Sequence, residues 1–227
     1  MLIGPQIDAS TLRSQHSGPF IRSGQRALSC RQDGGFSAVE MITVVAIILI
    51  AAAIAMVGVQ RTVRTVRLYG SGTDYSNLLQ NARMRAVKDD KYYTVRTDTT
   101  VTPPIAYVDI NGSGTYDLGE PQAPFRPNTT PVAFGAGPGL GNLKAQFLPP
   151  TPSAQASVAA GGGPPTFGPR GLPCTPVANT CPYLTPTSFI TFLQDTNGGW
   201  AAVTVTPAGR VRQWSYNTTG NSWSPLN

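Results

Sequence analysis

Charged side chains are scarce in this chain: they make up 12% of its 227 residues, and histidine occurs once, at His16. Beyond residue 35 there is no histidine, so neither a Ser-His-Asp nor a Cys-His arrangement can be built there. Cysteine is almost as rare. Of Cys30, Cys174 and Cys181, the first shares the N-terminal stretch with His16, and the other two stand seven positions apart. Two cysteines without a histidine make no zinc site of the ordinary ligand type. No pairing stands out among the nine carboxylates beyond residue 35, so we expect no enzymatic activity. What is plentiful is Gly (24) and Pro (21), which suits a loop-rich, β-leaning extracellular domain better than a helical cytoplasmic enzyme. The length allows one domain plus appendages.

The chain opens on a polar segment, residues 1–35, that carries Arg13, Arg22, Arg26 and Arg31. Gly34 and Gly35 are followed by Phe36-Ser37-Ala38-Val39-Glu40 and then by an apolar run from Met41 to Val59. Between Phe36 and Gln60 the only ionisable side chain is Glu40. As a helix, 36–60 would reach roughly 37 Å, enough to cross a bilayer core of about 30 Å with some tilt. Arg61, Arg64 and Arg67 follow the span, so basic residues flank it on both sides and leave its orientation open. A secretory signal peptide has a shorter apolar run, with its cleavage site after that run. An ordinary signal anchor has no use for a carboxylate one turn inside the span, where it costs about 2.5–3.5 kcal/mol and normally has a partner.

Gly35-Phe36 with Glu40 ahead of a long apolar run resembles the class III signal of type IV prepilins. The resemblance implies that a prepilin peptidase cuts after Gly35 and methylates Phe36. It also implies that Glu40 neutralises the N-terminal amine of a neighbouring subunit during assembly. Residues 1–35 are then a leader that takes His16 and Cys30 with it. The remainder carries 13 Lys and Arg against 9 Asp and Glu, a net charge of +4. The anchor lacks the proline that many main pilins carry.

After the anchor, 61–91 continues with helical periodicity. Val63, Val66 and Leu68 precede a Gly70-Ser71-Gly72 interruption; Tyr75, Leu78, Leu79, Ala82, Ala86 and Val87 then recur at three- and four-residue steps. The expectation is one long helix, broken or bent near residue 71, whose second half lays this stripe on a sheet. Short strands are expected at 92–97, 105–110, 131–134, 143–147, 188–193, 201–206 and 210–216, separated by Gly, Pro and Asn signals. The stretch 149–176, with its Gly161-Gly162-Gly163-Pro164-Pro165 core, reads as largely an exposed loop in a β-rich domain spanning 92–227. The fold class expected is α+β: a long N-terminal transmembrane and spine helix packed on a mainly antiparallel sheet, the pilin fold.

The segment ending Ala82-Arg83-Met84-Arg85-Ala86-Val87 resembles the GspH/FimT branch of minor pilins and pseudopilins. So do Asp109-Ile110-Asn111-Gly112, Phe167-Gly168-Pro169-Arg170-Gly171, and Val203-Thr204-Val205 followed by Gly209-Arg210-Val211-Arg212. This implies a minor subunit that primes or caps a filament, partnered by prepilin peptidase, other pilins or pseudopilins and the bacterial inner membrane. Two further roles are open: a pseudopilin of type II secretion, and a DNA-binding pilin of natural transformation. In the latter, Arg210 and Arg212 would contact phosphates and Trp214 and Tyr216 would stack on bases or cover the sheet; the bland alternative is a charged edge strand. Asp109, Asn111, Ser113, Asp117 and Glu120 match the oxygen positions of a 12-residue calcium loop, with Gly114 at its turn. A hairpin turn, in which these residues merely supply turn conformations, is the alternative, and it is favoured because no helix pattern flanks the loop and Pro121 follows at once. No other cofactor is implied. In an exported chain Cys174 and Cys181 suggest one disulfide, free thiols being the alternative.

Overall fold

The computed structural model describes residues 35–132, 137–139, 143, 153–156, 163–177, 180–182 and 187–226. The chain divides into two compact units, Met1–Ile47 and Ile48–Asn227. In the first, Ser37 begins helix α1 (Ala38–Asp89): its carbonyl accepts from Met41 N and its hydroxyl from Glu40 N at 3.3 Å. Ser37 and Glu40 thus stand at capping-box spacing. The leader, 1–35, lies outside the described residues except for Gly35.

Helix α1 is long and apolar enough to cross a membrane by length and composition. Ile, Val and Ala dominate its first part, and β-branched residues are mediocre helix formers in water. In lipid the preference is overridden, because a single span can satisfy its backbone polar groups internally only as a helix. Ile48, Leu49, Ile50, Ile54, Met56 and Val59 are all exposed in the second unit.

From Leu68 onward the helix has a buried face. Tyr75, Leu78, Leu79, Ala82 and Ala86 are at most 5% exposed, as the periodicity requires, whereas Val87, expected on the same stripe, is exposed. The expected break near residue 71 is absent: 70–72 are helical. Their small size serves close approach instead. A Cβ on Gly70 would collide with the Arg126 guanidinium, and one on Gly72 with the Gln213 amide. Ser71 Oγ accepts from Arg126 N at 2.9 Å, and Gln213 Nε2 donates to Tyr69 O at 2.8 Å. The helix ends where Asp90 turns left-handed (φ 50°) and Lys91 N bonds back to Ala86 O, a Schellman-type stop.

Ten strands follow among the described residues: β1 (Tyr93–Asp98), β2 (Ile105–Asp109), β3 (Gln122–Pro124), β4 (Thr129–Val132), β5 (Ser153–Ala156), β6 (Thr166–Phe167), β7 (Thr187–Asp195), β8 (Trp200–Val205), β9 (Val211–Asn217) and β10 (Ser222–Leu226). One antiparallel sheet has the order β3-β2-β1-β6, the other β10-β9-β8-β7-β4. β7 is long enough to take two partners on one side: β5 runs parallel to Thr187–Ile190, and β4 antiparallel to Phe192–Asp195. The fold is α+β, with α1 packed on mainly antiparallel sheets. The strand expected at 143–147 is not found at Leu143, which is buried with helical backbone; 144–147 lie outside the described residues.

Both sheets close on the helix. Val95, Val108, Phe125, Phe167, Phe189, Leu193, Val203 and Val205 share one core with Tyr75 and Leu79. The larger sheet buries its other face as well, with Ile190, Phe192, Ala202, Trp214 and Trp223 around Leu143. Along β7 the two cores alternate residue by residue, the period of a strand covered on both sides. The 149–176 stretch is therefore more than an exposed loop: it contributes β5 and β6, and Thr166, Phe167 and Cys174 are buried. Phe167 overrides the surrounding Gly and Pro because burying its ring removes a large apolar area from water. At the outer edge, β10 carries Pro225, which has no N–H to offer an incoming strand.

Candidate functional site

Three surfaces carry the residues singled out in the sequence. The first is the head of α1. Phe36 is 74% exposed, Glu40 lies exposed in the first turn, and Thr43 Oγ1 donates to the Glu40 carbonyl at 2.8 Å. Gly35 has nothing within reach of a would-be Cβ. Glu40 N donates to Ser37 Oγ at 3.3 Å, so Ser37 caps the helix, at a capping-box spacing legible in the sequence.

The second surface brings together pieces that are far apart in the chain. Arg83 leaves α1 and donates from Nη1 to Gly209 O at 2.9 Å, across the β8–β9 turn. The same side chain passes 3.3 Å from where a Cβ of Gly171 would stand, and Val87 comes within 3.0 Å of that point. A Cβ on Gly209 would meet Gly171 O at 2.8 Å. So the Ala-Arg…Ala-Val, Phe-Gly-Pro-Arg-Gly and Gly-Arg-Val-Arg elements meet at one junction, with Gly171 (φ 68°) and Gly209 (φ 77°) both left-handed. Gly209→Ala should therefore lower stability by about 2 kcal/mol, from left-handed strain plus the contact with Gly171 O. The urea midpoint of the detergent-solubilised chain reads this; an unchanged midpoint would show that the turn can relax away.

Beside the junction runs a groove lined by Gln80, Arg83, Met84, Val87, Lys88, Ala208, Arg210 and Val211. Met84 and Val87 are 65% and 53% exposed. Arg210 lies in the turn just before β9, and Arg212 within the strand. Trp214 is unavailable for stacking on a base: it is 2% exposed and its Nε1 donates to Thr204 Oγ1 at 2.9 Å. Tyr216 packs on Trp223, ring centroids 5.0 Å apart. Trp214 therefore covers the sheet, and half-buried Tyr216 packs against the same core.

The third surface is the loop between β2 and β3. Its carboxylates hold the loop through hydrogen bonds, while Asp109 Oδ1 is buried without a partner. Asp109 Oδ2 accepts from Arg96 Nε at 2.8 Å and from Gly114 N at 3.1 Å. Asp117 Oδ2 accepts from Asn111 Nδ2 at 2.7 Å and Ser113 Oγ at 2.8 Å, and these bonds lower its pKa below the ordinary carboxylate value. Glu120, 8% exposed, closes the base, accepting from Ile110 N at 2.8 Å and Asp117 N at 3.1 Å. Tyr107 adds a bond to Gly114 O at 2.9 Å and an edge contact with the Tyr116 ring. This is the hydrogen-bond pattern of a clamped turn. Among the described residues, no group of three or more His, Cys, Asp or Glu is arranged to hold a metal ion.

Cys174 and Cys181 form a disulfide, Cα atoms 5.5 Å apart, and Cys174 sits buried behind β6. The bridge ties down the chain that leads from the Gly171 junction.

No family model matches the chain, and no curated protein does. Among solved structures, it is similar to the minor pseudopilin EpsH from the type 2 secretion system of Vibrio cholerae. The identity is 12% and the TM-score 0.37, over 66% of this chain and 97% of that one.

Proposed function

We propose that this chain is a membrane-anchored, pilin-like structural subunit. A prepilin peptidase removes residues 1–35, Phe36 becomes the methylated N-terminus, and the subunit is drawn from the inner membrane into a pilus-like filament. The observation that carries this reading is the division of labour within α1. Its first part bears the Gly35-Phe36/Glu40 signal and an exposed apolar surface; from Leu68 on, it supplies the spine of an α+β domain. A helix that were only a soluble core element would not leave Ile48, Leu49, Ile50 and Ile54 bare, and a plain anchor would not continue into the core.

The finer assignment rests on the GspH/FimT resemblance. It makes the chain a minor subunit that primes or caps assembly, and its elements are the ones that meet around Arg83, Gly171 and Gly209. The test is to co-express the full chain with a prepilin peptidase and determine its N-terminus by mass spectrometry. The expected product begins at Phe36 and is one methyl group heavier than the bare peptide. A chain left uncut, or cut after the apolar run, would remove the proposal.

A further inference from the structure

The groove beside the Arg83 junction has a particular chemistry. Arg83, Lys88 and Arg210 line it, no carboxylate among the described residues does, and Met84 and Val87 stand exposed in it. An exposed apolar pair within a cationic wall suits a ligand with one apolar tip and an adjoining negative charge. The β2–β3 loop offers such a tip. Leu118 is 98% exposed, the barest large hydrophobic side chain among the described residues, and Asp117 precedes it. This leucine is not on a loose segment. Glu120 clamps both ends of the loop and Asp117 is itself held by Asn111 and Ser113, so the tip is already ordered before it meets a partner. Asp117 retains acceptor capacity, since one carboxylate offers about four lone-pair sites.

We propose that the Asp117-Leu118 tip of one copy of this chain seats in the Met84/Val87 groove of a second copy, with Asp117 facing Lys88 and Arg210. Tip and groove share no residue, so each copy can give its tip to one neighbour and its groove to another. A contact of that kind is head-to-tail and extends in one direction instead of closing as a symmetric dimer. It deepens the proposed function and rests on it. Two copies side by side at a filament end already satisfy it, so it does not require a bulk subunit.

The test is disulfide trapping in full-length chain, expressed in membranes with prepilin peptidase in a Cys30→Ser background. One tagged copy carries Leu118→Cys and a differently tagged copy Met84→Cys; oxidation joins them only if their Cα atoms come within about 7 Å. The expected result is a mixed dimer well above a Val101→Cys/Met84→Cys control, with little product from either variant alone. Adding Lys88→Glu to the Met84→Cys copy should lower the mixed dimer about threefold, and high salt should act in the same direction. Lys88 is exposed, which keeps this second variant clear of the core. A mixed yield no greater than the control, from chains that are correctly processed at Gly35, would overturn the contact while leaving the pilin-like reading intact. Equal yields of Leu118→Cys or Met84→Cys self-dimers would also overturn it. No mixed dimer from chains that are never processed would overturn both.

Discussion

Glu40→Gln should reduce incorporation of the subunit into filaments by about a hundredfold or more, while leaving it membrane-inserted and still processed after Gly35. The magnitude follows from the proposed pairing of Glu40 with a neighbour's N-terminal amine. Removing one member of a buried ion pair strands the other and costs about 3–5 kcal/mol, and each 1.4 kcal/mol is about tenfold. Glutamine isolates this effect. It keeps the capping-box spacing with Ser37, where Glu and Gln are interchangeable, and it favours insertion by removing a charge from the apolar segment. Comparing the subunit in sheared filaments with that in the membrane fraction measures it. Unchanged incorporation would overturn the pairing of Glu40 with the neighbour's amine.

The second large effect is on stability. Phe167→Ala should cost about 3–5 kcal/mol, a large share of the roughly 5–15 kcal/mol that holds a typical domain together. Phe167 is fully buried, pairs with Tyr93 across β6 and β1, and belongs to the core that α1 closes. Its β6 backbone is held by few bonds, so the ring has to anchor the segment that leads to Gly171. Val177→Ser, at an exposed position of the same stretch, should shift stability by no more than about 0.5 kcal/mol. Denaturant midpoints of the two variants should therefore separate clearly. Similar midpoints would mean that the segment is no part of the cooperative core.

The fates of these two residues show why one part of the molecule was easier to read than the other. The α1 stripe of Tyr75, Leu78, Leu79, Ala82 and Ala86 was visible because a helix covered on one face keeps a 3.6-residue period whatever it packs against. Val87 departs from the pattern because it lines the groove against Gly171 instead of entering the core. Strands β7 and β8 were found as apolar runs, but burial on both faces erased the alternation that would have assigned each side chain to a core. β3, β6 and β10 left almost no local signal: they are short, rich in Pro or polar residues, and exist because a neighbouring strand offers them bonds. In a local window Gly70 and Gly72 are a weakness in the helix. They are points of close approach to Arg126 and Gln213, side chains more than 50 positions away that no local window contains.

By itself, the sequence determined that a long apolar helix follows a Gly-Phe boundary, that one carboxylate lies a turn inside it, and that a β-rich domain without histidine comes after. These features depend on composition and local spacing, which any window of the chain displays. Only the tertiary structure decided that the glycines at 70, 72, 171 and 209 are contact points, that Trp214 is covered, and that the β2–β3 carboxylates hold a loop with Leu118 at its tip. It also decided that Arg83 meets a carbonyl 126 positions away. Each of these depends on which distant atom arrives within a few ångströms, and that is a property of the packed chain.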